Sequence, residues 1–183
     1  MMRSVCYKGY ELTFIKYRFM ADHYITISKK IKEILISCGV NPKKISIVYS
    51  GVDPERLKGG DGKNIVREFG LNGVDWFLGN VAYIADHKDH KNLIHAFKMV
   101  SDEMKGVVLF VVGGGDRKEL EDLSQHLGIK KRIIFTGFRE DLKDFYALFH
   151  LFVLSSKEEG LCTSIIDALF NEVPVVATDA GGI

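Results

Sequence analysis

The sequence predicts an α/β protein built on a doubly wound parallel sheet. Two observations carry this. From about residue 74, apolar runs of five to seven residues alternate with amphipathic runs of about ten. The apolar runs are apolar throughout, which marks strands covered on both faces, and the amphipathic runs supply the covering helices. In such sheets ligands bind at the carboxyl ends of the strands.

The elements follow in order. "WFLGNVAYI" (76–84) reads as a buried strand, and "NLIHAFKMV" (92–100) as a helix presenting Leu93, Ile94, Phe97 and Val100 on one face. "GVVLFVVGGG" (106–115) is a second strand with a glycine stop. "KELEDLSQHLGI" (118–129) spaces Leu120, Leu123 and Leu127 helically, with Gly128 as its stop. "RIIFTG" (132–137), "LFVLSS" (151–156) and "VPVVATD" (173–179) are further strands. "DLKDFYALF" (141–149) and "SIIDALF" (164–170) are the helices between them. The loops to examine follow Ile84, Val112, Thr136, Leu154 and Ala177.

The first 51 residues stand outside this repeat. "ADHYITIS" (21–28) and "KISIVYSG" (44–51) read as strands around a helix that Ser28 caps and Gly39 ends. "VDPERLKGGDGKN" (52–64) is polar and glycine-rich and reads as a linker or boundary. The expected division is 1–51, a linker with a first helix over 52–72, and a main domain over 73–183.

Composition excludes several classes. With 25 basic and 24 acidic residues the net charge is +1, so no general attraction to nucleic acid is expected. No apolar run approaches the length of a transmembrane helix, and the start lacks the apolar core of a signal peptide. The three cysteines, Cys6, Cys38 and Cys162, have no metal spacing, and an odd number favours free thiols in a reducing compartment. A cytoplasmic protein is expected. His87, His90 and His95 offer no third ligand at a spacing that suggests a metal, and no Asp-x-Asp occurs. The glycines at 113–116 fail the dinucleotide pattern.

The stretch "EEGLCTSIIDALFNEVPVVATDAGG" concentrates the candidate chemistry. Thr163 or Ser164 can cap the helix, leaving backbone N–H groups near Leu161 to Ile166 ready for phosphate. Glu159 and Asp167 flank that point. Carboxylates repel phosphate, so they suit the hydroxyls of a ligand that also carries a diphosphate. The alternative is local: Ser164 and Asp167 also have the spacing of a capping box.

This stretch resembles the E-x7-E region of the retaining glycosyltransferases of GT-B fold, the glycosyltransferase family 4 or group 1 type. "ITISKKIKEIL", "KISIVYSGVDPERL", "LGNVAYIADHKDHKNLIHAF", "LFVVGGGDRKELEDLSQHLGI" and "IIFTGFREDLKDFYALFHLFVLSS" resemble successive segments of the same family, in order. The resemblance implies that the main domain is the C-terminal, Rossmann-like, donor-binding half of a GT-B fold. Residues 1–51 would be a remnant of the acceptor-side domain. It implies that Glu159 lies against the donor sugar and Asp167, where the family usually has Glu, binds the ribose. Gly160, Leu161, Cys162 and Thr163 match the loop whose backbone meets the diphosphate. Lys88 matches a lysine that neutralises the diphosphate, while Tyr83 stands where the family has arginine. Gly114 lies in a turn near the cleft, read equally well as a tight strand-to-helix turn. Phe138 and Arg139 match the loop beside the nucleobase.

The partners implied are a UDP- or GDP-sugar, a glycan or lipid-linked acceptor, and a chain that completes the cleft. No metal or other cofactor is implied. Membrane contact is peripheral at most, at the inner face, and the basic, aromatic run "YKGYELTFIKYRF" is compatible with it. The glycine-rich first loop and the histidine of the acceptor side cannot be placed. The pattern also expects a further strand after "VVATDAGGI", so the last strand should show an open, apolar edge. Two other readings remain: a module that binds a nucleotide sugar without transfer, and a nucleotide-sugar epimerase of GT-B fold.

Overall fold

The computed structural model describes residues 21–183. The run 7–19 and Cys6 lie outside these residues. The chain forms two compact units. One comprises the residues up to Gly51 with Glu159–Cys162 and Gly181–Ile183, and the other comprises Val52–Glu158 with Thr163–Ala180.

In the first unit, β1 (Tyr24–Thr26) pairs in parallel with β2 (Ile45–Ile47), with Tyr24 opposite Ile45. Helix α1 (Lys29–Ser37) connects them. Ser28 caps it as its spacing predicts, its Oγ accepting from the Ile31 N–H at 3.3 Å. Gly39 takes φ 81° and lets the chain turn back, so that Val40 N–H reaches Leu35 O at 3.1 Å. Tyr24, Leu35, Val40 and Ile45 form the small core. Cys162 is a buried thiol.

The second unit holds five parallel strands in the order β5-β4-β3-β6-β7. They are β3 (Trp76–Val81), β4 (Val107–Val112), β5 (Ile133–Gly137), β6 (Leu151–Leu154) and β7 (Val175–Ala177). All six residues of β4 are buried, as an uninterrupted apolar run requires. Between the strands run α2 (Gly62–Glu68), α3 (His90–Glu103), α4 (Lys118–His126), α5 (Leu142–Tyr146) and α6 (Thr163–Phe170). Leu93, Ile94 and Phe97 of α3 meet Val107, Leu109 and Val111 of β4 in one core. The strand order reverses at β3, so the carboxyl ends of β3 and β6 flank the switch point where such sheets take ligands.

Two elements differ from their sequence outlines. Helix α5 spans five residues where nine were expected, because Leu148 N–H and Phe149 N–H both return to Phe145 O and close the last turn. Strand β7 is three residues long because, among the described residues, its ladder is with the four-residue β6 alone. It is an edge strand, and Val176 on it is exposed, as are Leu169 and Phe170 of α6. The glycine-rich 52–64 stretch is packed. Asp53 caps a 3-10 turn at Pro54–Arg56, Leu57 is 1% exposed, and Asp61 caps α2. The buried Asp144 accepts from Asp61 N–H at 2.8 Å and from Asn64 Nδ2 at 3.2 Å.

Candidate active site

The loop after β3 carries Lys88, at the end of a 3-10 turn spanning Asp86–Lys88. Asp89 follows in the left-handed region at φ 49°, and α3 begins at His90. This turn is pinned to the end of β6. Ser155 Oγ lies 2.9 Å from Lys88 O and 3.0 Å from Asp89 O, so its hydrogen is shared between the two carbonyls. Lys157 N–H donates to His87 O at 2.8 Å, and Lys157 Nζ sits 3.2 Å from the Asp89 carboxylate. The backbone at Lys88 is therefore set by two segments far apart in sequence. A depression of about 490 Å³ opens beside the turn, lined among others by Ile84, Asp86, Asp116 and Lys157.

Beneath the turn, Asn80 of β3 donates to Val153 O of β6 at 2.8 Å and faces His90 Nε2 at 3.1 Å. Since the Asn80 amide nitrogen is taken, its Oδ1 accepts and Nε2 of His90 carries the proton. Nδ1 of His90 is buried without a hydrogen-bond partner among the described residues. Burial, and then the charge of Lys88, push the His90 imidazole from 6.5 down to about 4, against a smaller upward pull from Asp89 and with His87 adding to the depression. The folded chain thus holds His90 neutral while the unfolded chain protonates it more readily. The stability this contributes is complete above pH 6.5 and is lost as pH falls toward 4, about 3 kcal/mol in all. Urea unfolding between pH 4.5 and 7.5 is expected to show that loss in the natural chain and a flatter profile in His90→Gln. Parallel profiles would remove His90 as the cause.

The glycines after β4 bring two turns together. Gly113 has φ 151°, and a Cβ there would lie 2.0 Å from Ala82 O; Ile84 N–H donates to Gly114 O at 2.8 Å. A Cβ on Gly114 would be 3.7 Å from the Tyr83 ring and 4.0 Å from Phe138 Cβ. Tyr83 and Phe138 are 66% and 74% exposed. Each of these three residues follows the carboxyl end of its strand. Arg139 is differently placed. Its guanidinium bonds Glu68 at 2.6 and 2.8 Å and Asp141 at 2.6 and 2.8 Å, and it lies over the Phe145 ring at 5.2 Å. Those bonds raise its pKa and hold the Asp141 carboxyl below its usual value. Of the pair expected beside a base, Phe138 is the open one.

Thr163 is the first residue of α6 and is exposed, and Asp167 lies one turn on, buried. The Asp167 carboxylate does not return to Ser164 as a capping box would. Arg56 Nη2 sits 2.6 Å from both of its oxygens. Burial pushes this carboxyl up and Arg56 opposes the rise. Sequence reading missed Arg56, Ser155 and Asn80. Arg56 and Asp167 are 111 residues apart, so no local spacing links them.

In the first unit, Glu159 is buried at 5% exposure and its carbonyl accepts from Gly182 N–H at 2.8 Å. Gly160 lies against Ile27 and Ile31, where a Cβ would be 3.6 Å from each side-chain methyl. Leu161 is half-buried and Cys162 is buried. Among the described residues no cluster of three or more His, Cys, Asp or Glu is arranged to hold a metal, and no helix is long and apolar enough to cross a membrane.

Comparison with known proteins decides the family. The profile described as Glycosyl transferases group 1 matches residues 61–183. The chain belongs to the glycosyl transferases group 1 family. A second profile, Glycosyltransferase Family 4, matches residues 7–56. The D-inositol 3-phosphate glycosyltransferase of Mycobacteroides abscessus is 30% identical over 172 residues, which cover 89% of this chain and 38% of that protein. An uncharacterized glycosyltransferase of Methanocaldococcus jannaschii is 28% identical over 167 residues, covering 87% of this chain and 43% of its own. Among solved structures, Anabaena Alr3699/HepE in complex with UDP and glucose superposes with a TM-score of 0.85 at 24% identity, over 95% of this chain and 50% of that one. The sucrose-phosphate synthase of Thermosynechococcus elongatus gives 0.79 at 19% identity, over 96% and 46%. The chain thus spans about half the length, or less, of the glycosyl transferases group 1 proteins and solved structures named here. Its five-stranded parallel sheet with flanking helices is the Rossmann-like half of a GT-B fold.

Proposed function

We propose that the chain supplies the donor-binding half of a retaining, metal-independent glycosyltransferase. The donor would be a UDP- or GDP-sugar, the acceptor a glycan or a lipid-linked glycan, and residues 73–183 the donor domain. The observation that carries this reading is the Lys88 turn. It lies at the carboxyl end of the central strand, beside the switch point, with its backbone fixed by Ser155 and Lys157. A cation so placed suits a diphosphate, whose negative charge grows as it leaves.

On this reading the sugar's anomeric C–O bond to the diphosphate breaks, and a new C–O bond to the acceptor hydroxyl forms on the same face. The acceptor's proton passes to the leaving diphosphate. Lys88 meets the growing charge, as do the backbone donors of Gly160, Leu161, Cys162 and Thr163. Glu159 positions the donor sugar and Asp167 binds the ribose. Gly114 and Phe138 line the base side, with Arg139 holding the Phe138 loop. The acceptor would come from a region or chain that completes the cleft, in a cytoplasmic setting with peripheral contact at the inner membrane face.

Tyr83 favours a second reading. An exposed tyrosine brings no charge where the family has arginine, which suits a module that binds a nucleotide sugar without transferring it.

Isothermal titration with UDP and GDP tests the reading. Binding of one nucleotide, weakened about tenfold or more in Lys88→Ala and in Asp167→Asn, is expected, since each removes a charged hydrogen bond. Glu159→Ala should affect the UDP- or GDP-sugar more than the bare nucleotide. A folded chain that binds neither nucleotide would overturn the proposal.

A further inference from the structure

We propose that Arg56 is a specificity-determining residue: with Asp167 it reads the ribose hydroxyls of the donor as one unit. The inference rests on the nucleotide-sugar reading above.

Arg56 Nη2 bonds both Asp167 oxygens at 2.6 Å. Each carboxylate oxygen has two lone pairs, so one on each remains after Arg56 is bound. The guanidinium has five N–H donors, and Nη2 accounts for two. Nη1 and Nε make no hydrogen bond among the described residues. The Arg56 side chain is 41% exposed, against 5% for Asp167.

The pair therefore offers both spare acceptors and spare donors. A ribose diol needs both, because each hydroxyl donates one hydrogen and accepts at its oxygen. A carboxylate alone can only accept. Asp167 is also one methylene shorter than glutamate, and the longer arginine side chain restores reach. Its base is firmly held: Asp53 caps the turn that carries Arg56, and Leu57 beside it is buried. Arg56 has a further effect on the acid. Burial favours the protonated carboxyl, and Arg56 is the charged group that opposes it.

Calorimetry on the full chain, with UDP and 2′,3′-dideoxy-UDP, tests this in the natural protein, Arg56→Ala and Arg56→Lys. The natural chain should prefer UDP by about tenfold or more. Arg56→Ala should bring UDP down to the dideoxy level and leave dideoxy-UDP unchanged. Its UDP binding should also fail at higher pH on the acid side, as Asp167 protonates more readily. Arg56→Lys should keep the natural pH profile but lose part of the preference; this also decides the matter where Arg56→Ala does not fold. Equal losses for both ligands would make Arg56 a structural strut and overturn the proposal. So would Lys88-dependent binding with no preference for UDP, which would leave the proposed function standing. No nucleotide binding at all would remove both.

Discussion

Gly113→Ala is expected to destabilise the second unit by about 3 kcal/mol or more. Two effects add. The residue holds φ 151°, where a side chain is strained, at about 1–3 kcal/mol. Its Cβ would also lie 2.0 Å from Ala82 O and 2.7 Å from that carbonyl carbon. Overpacking of this kind costs about 1–3 kcal/mol, and here the neighbour is backbone that has little room to move. Ala82 N–H is bonded to Val112 O at 3.0 Å, Gly113 N–H to Gly137 O at 2.9 Å, and Ile84 N–H to Gly114 O at 2.8 Å. Gly128 is the control. It has φ 72° and open space where a Cβ would go, so Gly128→Ala feels the strain alone. Urea midpoints should separate the two variants. Equal losses would show that the Ala82 contact relaxes. The consequence reaches the site, because the turn after β3, which carries Ala82, leads into Lys88.

Phe110→Ala is expected to cost about 3–5 kcal/mol, the usual range for emptying a core of a phenyl ring. Phe110 is fully buried in the middle of β4. Phe69 and Phe145 meet it edge-on at 5.6 and 5.5 Å, and Phe77 and Phe149 lie at 6.3 and 6.2 Å. These rings come from different elements, so a void at their centre has no single neighbour to fill it. Phe138→Ala, at a ring 74% exposed, should change stability by less than about 0.5 kcal/mol. Thermal unfolding of the two variants checks both. A small loss for Phe110→Ala would mean that the cluster collapses around the gap.

The sheet was legible because its strands are written twice, in apolar runs and in the helical spacing between them. Leu93, Ile94 and Phe97 face the core as their period requires. Ser28 caps its helix because the cap is a local bond. Strand length was less legible. Nothing within "VPVVATD" says that its neighbour β6 offers only four residues to pair with. At the site, the loops after β3 and β4 were readable as the connections at the carboxyl ends of strands, while the weight given to Lys88 came from the family resemblance. What joins those loops was not. Ser155 hydroxyl to Lys88 carbonyl, Asn80 to His90, and Arg56 to Asp167 are contacts that exist only after the sheet has brought distant segments side by side. Arg139 is a like case: the family resemblance set it in the loop beside the nucleobase, while Glu68, 71 residues away, and Asp141 hold its guanidinium.

The strand order also sets a timetable for synthesis. Strand β3 is the first of the five to leave the ribosome. Its neighbours on one side, β4 and then β5, follow directly, so half the sheet can assemble as it emerges. The other side of β3 waits for β6: Asn80 and its partner Val153 are 73 residues apart. At ribosomal speeds of about 5–20 residues per second, that edge stays open for roughly 4–15 s. During that interval the nascent chain displays an unpaired strand carrying Leu78, a ready surface for a holdase or for a neighbouring nascent chain.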